Sequence, residues 1–181
     1  MTMKIYSLFL MTIAATILTS CNSKKDEYDP YKISGGKSKQ EVSKNAFEVD
    51  FKATDANVKT IHINLNGSNS YDALFDTGCS SVSISLQELK DMMKQGTISA
   101  EDVIGYGTST IADGSNLEEV IVNLREISIV DKNGKAHTLR DIHASVVPNE
   151  RAAILIGSSV IDNLAKKSYT VDLKKKVIRF E

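Results

Sequence analysis

The chain has 181 residues, and its 22 Lys and Arg against 23 Asp and Glu leave a formal net charge of -1. That length allows one domain and a targeting segment. The near-neutral balance, without a dense Lys/Arg cluster, excludes a basic footprint for nucleic acid. Pro30 and Pro148 are the only prolines, so Gly, Asn, Asp and Ser must make the turns.

Lys4 supplies a short basic start, and Ile5 to Leu18 is uncharged and mostly apolar. About 14 residues make roughly 21 Å of helix, short of a hydrocarbon core of about 30 Å, so the segment predicts a signal-peptide core rather than a span. The run ends in Leu18-Thr19-Ser20-Cys21. This resembles the bacterial lipobox, in which small residues fit the signal peptidase and the thiol carries diacylglycerol. The resemblance implies removal of residues 1–20, lipid on Cys21, and a membrane partner reached through that lipid. It places the chain in the bacterial cell envelope, on the outer membrane, facing the periplasm or the surface. Lys24-Lys25-Asp26-Glu27 resembles the charged signal that exports lipoproteins of Bacteroidetes-type bacteria, and no aspartate follows Cys21 to retain the chain at the inner membrane. The alternatives are an ordinary signal peptide with a chance cysteine, and a charged run that serves only to solvate a tether. Residues 21–45, with Ser34-Gly35-Gly36-Lys37-Ser38, have the composition of a flexible linker. With Cys21 lipidated, Cys79 is the one free thiol, and no intrachain disulfide can form.

Beyond the tether, residues 46–181 read as one β-rich domain. Phe47, Val49 and Phe51 alternate with Glu48 and Asp50, and Ile61, Ile63 and Leu65 alternate with His62 and Asn64. Asn66-Gly67 is a turn pair. Tyr71 to Phe75 predicts a strand entering Asp76, and Val82 to Ile84 predicts another. Ser85 and Glu88 form a capping box ahead of a helix whose apolar face is Leu86, Leu89, Met92 and Met93, and Gly96 ends it. Tyr106 to Ile111 and Leu117 to Val130 predict a hairpin about Asp113-Gly114, and Asp131 to Gly134 turns into a strand over Leu139 to Val147. Ala153 to Ile156 predicts a buried strand stopped by Gly157. Ser158 to Leu164 predicts a short helix with Ser159 as its cap, and Tyr169 to Phe180 a closing hairpin about Lys174-Lys175-Lys176. Many short strands at close spacing indicate a small barrel or sandwich.

Asp76-Thr77-Gly78 lies between two apolar strands, followed by the small residues Cys79, Ser80 and Ser81. Ile154-Leu155-Ile156-Gly157 precedes the second helix. Together these resemble the active-site loop and second-half motif of the retropepsin-like aspartic proteases, bacterial members above all. The resemblance covers residues 46–181 and implies an all-β fold, a retropepsin-like closed β-barrel with one or two short helices. It implies Asp76 as the catalytic carboxylate, Thr77 locking the loop to that of a partner, and Gly78 allowing close backbone approach. Thr110, Ile111, Ala112, Asp113 and Gly114 take the place of the flap that closes over a peptide or protein substrate. Peptide hydrolysis by this chemistry needs two carboxylates sharing one proton, and the chain has a single Asp-Thr-Gly, so an active enzyme must be a homodimer. No metal or organic cofactor is implied.

Other readings stay open. Asp-Thr-Gly can be only a turn, or the chain can be a surface-anchored binding lipoprotein that keeps the protease fold without catalysis. His62, His137 and His143 match no metal-ligand spacing and read as surface residues. Cys79 has no legible His partner, and a neighbouring carboxylate disfavours its thiolate.

Overall fold

A computed structural model of the protein describes residues 42–67, 69–111 and 113–181. The expected signal segment, Cys21, the expected tether up to residue 41, and Ala112 of the expected flap lie outside the described residues.

Strand β1 (Phe47–Ala53) buries Phe47, Val49 and Phe51, and β2 (Lys59–Leu65) buries Ile61, Ile63 and Leu65, as their alternation predicts. Asn66 and Gly67 both adopt positive φ in the tight turn to β3 (Asn69–Phe75). After a loop comes β4 (Val82–Ser85), then helix α1 (Leu86–Lys94), whose first turn carries the capping box of Ser85 and Glu88. A single 3-10 turn, Ala100–Asp102, leads into β5 (Val103–Thr110) and the long strand β6 (Asn116–Val130). The chain continues through β7 (Ala136–Val147), β8 (Leu155–Ile156), α2 (Ser158–Leu164), β9 (Tyr169–Asp172) and β10 (Val177–Phe180).

The expected all-β closed barrel is corrected. The strands form one mixed sheet in the order β5-β6-β7-β4-β8-β3-β2-β1-β10-β9, which among the described residues ends at β5 and β9. Strand β2 also meets β6, over Asn64↔Ser128 and Leu65↔Ile127. The pairs β3–β8 and β4–β7 are parallel. Such pairs need crossover connections, which strand spacing along a sequence does not reveal. Both helices belong to the packing: Met92 of α1 and Val160, Ile161 and Leu164 of α2 are buried in the main core.

The core fills one face of the sheet around Val82, Ile84, Val122, Leu124, Ala144 and Ile156, all fully buried. Val42 and Ser43, inside the span whose composition reads as tether, lie against the domain. Val42 joins the core, and the Ser43 N–H donates to Nδ1 of His137 at 3.1 Å. His137 is therefore not a surface residue. It has no exposed area, stacks on Phe47 at 3.6 Å between ring centroids, and hydrogen-bonds Asp131 through Nε2 at 2.9 Å. With Nδ1 accepting, Nε2 carries the ring proton and donates to the carboxylate. That hydrogen bond, with the backbone N–H groups of Lys135 and Asn133, outweighs burial and holds the Asp131 carboxyl below its ordinary value.

Candidate active site

The loop holding Asp76 joins β3 to β4, but those strands do not pair with each other. Strand β8 threads between them, parallel to β3 (Leu74↔Leu155, Phe75↔Ile156) and antiparallel to β4 (Val82↔Ile156, Ser83↔Leu155). The Asp76 N–H donates to the Ile156 carbonyl at 3.1 Å, which anchors the loop where it leaves the strand. Within the loop, Cys79 N–H donates to Asp76 O at 3.3 Å, and Gly78 N–H donates to Asp76 Oδ1 at 2.9 Å. A Cβ on Gly78 would lie 3.2 Å from that same Oδ1, so glycine lets backbone and carboxylate meet. Asp76 keeps partial exposure, and among the described residues its Oδ2 accepts no hydrogen bond. Thr77 is exposed beside it.

Gly157 fixes the loop from below. A Cβ there would lie 2.1 Å from the Ser81 carbonyl oxygen and 2.4 Å from that of Cys79, so only glycine fits. The start of α2 then completes the contact: Ser158 N–H donates to Cys79 O at 2.8 Å, and Ser159 N–H to Ser80 O at 3.1 Å. The backbone amides at the front of this helix thus satisfy the loop's carbonyls. The residue flanking the helix start is Gly157 without a side-chain cap, so Ser159 is not the cap; its hydroxyl is buried inside the first turn with no partner among the described residues.

Cys79 is the free thiol of the described residues and sits half-buried, its Sγ donating to Ser81 O at 3.1 Å. Burial pushes the thiol above its ordinary value, and the Asp76 and Glu119 carboxylates push it further the same way. This keeps it protonated and unsuited to nucleophilic attack. The histidines do not converge: exposed His62 pairs with Asp72, His137 is buried with Asp131, and His143 lies along β7.

Of the residues expected to form a flap, the described ones, Thr110, Ile111, Asp113 and Gly114, lie where β5 turns towards β6. Thr110 pairs with Asn116, Ile111 N–H donates to Ser115 O at 2.9 Å, and Gly114 turns the chain at a φ of 83°. The Asp113 carboxylate takes the Ser115 N–H at 2.8 Å and so serves the turn. Cross-strand rows connect the hairpin and the Asp76 loop. Gly105, Ile121, Ser145, Ser83, Leu155 and Leu74 are successive register partners and share a face. Glu119 precedes Ile121 by two residues within β6, so by strand alternation it projects to that face, opposite the main core, and Asp76 follows Leu74 by two residues, just past the end of β3.

Two features had no reading from sequence. Asp102 is nearly buried and forms a two-armed pair with Arg125, Nε to Oδ1 at 3.1 Å and Nη2 to Oδ2 at 2.8 Å. Burial opposes its ionisation, but Arg125 and the Ser99 N–H and hydroxyl hold its carboxyl below the ordinary value. Glu119 is the other, a buried acid on the hairpin; its neighbour Glu118 is exposed, and only the alternation along β6 tells the two apart.

A family model described as "Aspartyl protease" matches residues 61–160, which takes in Asp76, the hairpin and Gly157. A retropepsin-like aspartic protease from Rickettsia conorii superposes with a TM-score of 0.50 at 15% identity, over 75% of this chain and 92% of that one. Basic 7S globulin from soybean gives a TM-score of 0.44 at 12% identity, over 76% of this chain and 42% of that one. No curated protein matches the chain in sequence. The likeness to the Rickettsia enzyme is one of fold, and the family match spans more than half of the sequence: the chain belongs to the aspartyl protease family, and its domain has a retropepsin-like fold.

Proposed function

We propose that this protein is an aspartic endopeptidase acting as a homodimer, with one Asp76 from each subunit beside a two-fold axis. The observation that carries the reading is the Asp76 carboxylate. It stands on a loop braced by β8 and Gly157, with Oδ1 held by Gly78 and Oδ2 open. One ionised Asp76 takes a proton from water, whose oxygen attacks the peptide carbonyl. The partner's protonated Asp76 gives its proton to the carbonyl oxygen. The tetrahedral intermediate collapses as the C–N bond breaks: the Asp76 that took the water's proton gives it to the leaving amine, and the now ionised partner Asp76 takes a hydroxyl proton back as the carbonyl re-forms. The Thr77 hydroxyl ties one loop to the other, and the hairpin tip at 110–114 closes over the substrate backbone and excludes water. Lipid on Cys21 would hold the dimer at the bacterial envelope, and replacing Cys21 with serine would release the protein from the membrane fraction.

The test is cleavage of a proteome-derived peptide mixture by the mature chain, mapped by mass spectrometry. Asp76→Asn should abolish every new cleavage while circular dichroism and oligomeric state stay unchanged. Cleavage surviving in Asp76→Asn, or a folded wild-type dimer that cuts nothing, would overturn the reading. The second result would favour a binding lipoprotein on the same fold.

A further inference from the structure

The β5–β6 hairpin carries a buried acid that, among the described residues, no cation neutralises. Glu119 is 5% exposed, and among the described residues it forms no ion pair; its hydrogen bond comes from the Ser109 hydroxyl. The other well-buried acids have stronger partners: Asp102 has a guanidinium, and Asp131 has an imidazole N–H and two backbone amides. A buried carboxylate held by one hydroxyl is costly unless a cation completes it.

Four observations relate Glu119 to the loop that carries Asp76. Glu119 shares the face of the sheet that carries Leu74, away from the main core, and Asp76 follows Leu74 by two residues. Strand β5 offers Gly107 opposite Glu119 and Gly105 opposite Ile121, so the β5 side chain that reaches this part of the face is the small Ser109. Cys79, three residues after Asp76, feels the charge of both carboxylates. Ile121, two residues along from Glu119, is buried yet stands apart from the main core cluster, as a wall beside the acid would.

We propose that Glu119 is a specificity-determining residue: it receives the ammonium or guanidinium of a Lys or Arg side chain in a peptide lying between the hairpin and Asp76. This rests on the reading of the domain as a peptide hydrolase and names its substrate class. The incoming cation displaces the Ser109 hydroxyl from the carboxylate. Desolvated charge pairing of this kind discriminates strongly, because a neutral isostere leaves the acid buried and unpaired.

The experiment compares peptides that differ only at one side chain, Arg against citrulline and Lys against norleucine, placed in turn at each position flanking the bond that is cut. Rates are measured with the full mature protein, and binding of the same fluorescent peptides is measured on Asp76→Asn by anisotropy. At one position the wild type should favour the cationic member of each pair by about tenfold or more. In Glu119→Gln that ratio should collapse towards one, and in Ser109→Ala it should be kept or increased. A ratio near one in the wild type, or a cationic preference unchanged in folded Glu119→Gln, overturns the proposal. Should Glu119→Gln fail to fold, a cationic preference that Ser109→Ala lowers also overturns it. The binding arm separates the two claims. Cation-selective binding to Asp76→Asn that is lost in the double variant with Glu119→Gln supports this site even where the wild type cleaves nothing. Unselective binding removes it even where cleavage is robust.

Discussion

Replacing Gly157 with alanine tests how the Asp76 loop is held. The backbone of Gly157, at φ -96° and ψ -173°, suits any residue, so alanine brings no conformational strain. On backbone grounds alone it would stabilise by about 0.5 kcal/mol, through a less flexible unfolded chain. The structure reverses that sign. The new methyl would lie 2.1 Å from Ser81 O and 2.4 Å from Cys79 O, both backbone atoms that cannot rotate away. Carbon and carbonyl oxygen normally approach no closer than about 3.3 Å, so β8 and the loop must part by roughly 1 Å. That separation strains the bonds Ser158 N–H to Cys79 O and Ser159 N–H to Ser80 O. At about 1 kcal/mol for each bond and about 1–3 kcal/mol for overpacking, the net loss is about 3 kcal/mol. Urea denaturation reads this as a lower midpoint with an unchanged slope. Gly134→Ala is the control: its φ is 79° and nothing lies within 4 Å of the added methyl, so only a backbone cost of about 1 kcal/mol applies. A Gly157→Ala protein as stable as the wild type, or less affected than Gly134→Ala, refutes the reasoning.

Other outcomes follow from the same contacts. Ser85→Ala removes the hydroxyl that accepts from Gln87 and Glu88 at the start of α1, and should cost about 1–2 kcal/mol in a urea titration. The Asp131 carboxyl is depressed below 3.8, so its contribution to stability is complete above that value and is lost as pH falls from there through the folded value. Asp131→Asn should therefore flatten the acid limb of a stability-versus-pH curve. The Cys79 thiol should react with iodoacetamide at pH 8 more slowly than a free cysteine peptide, because burial and then Asp76 and Glu119 disfavour its thiolate. Asp76→Asn and Glu119→Gln should each speed the reaction, though less than unfolding does.

Much of the architecture could be read before the structure because it is locally encoded. Alternation in Phe47–Phe51 and Ile61–Leu65, the Ser85/Glu88 box and the Asn66-Gly67 turn each depend on neighbours within a few residues. Gly157 was legible too, as the stop after an apolar run, although its reason is a contact with a loop that precedes it by most of the domain. What stayed hidden depends on distant partners. The parallel pairs β3–β8 and β4–β7 turn an expected closed barrel into a mixed sheet, and no periodicity encodes pairing. His137 belongs to a strand that begins at Ala136, ahead of the apolar run at Leu139 that marks the strand in sequence. Its burial comes from Phe47 and the Ser43 amide, far upstream. Glu119 drew no reading from sequence, because beside Glu118 nothing but its face on β6 marks it as buried.

The central claim is that one Asp76 works only when a second meets it. The most direct measurement is the initial rate of peptide cleavage by the mature chain as its concentration falls below the dimer dissociation constant, alongside mixtures of wild type with Asp76→Asn. The account predicts a rate rising with the square of concentration at the dilute end, and inactive mixed dimers, so that excess Asp76→Asn suppresses the wild type. A rate linear in concentration throughout, with the wild type indifferent to added Asp76→Asn, would contradict it.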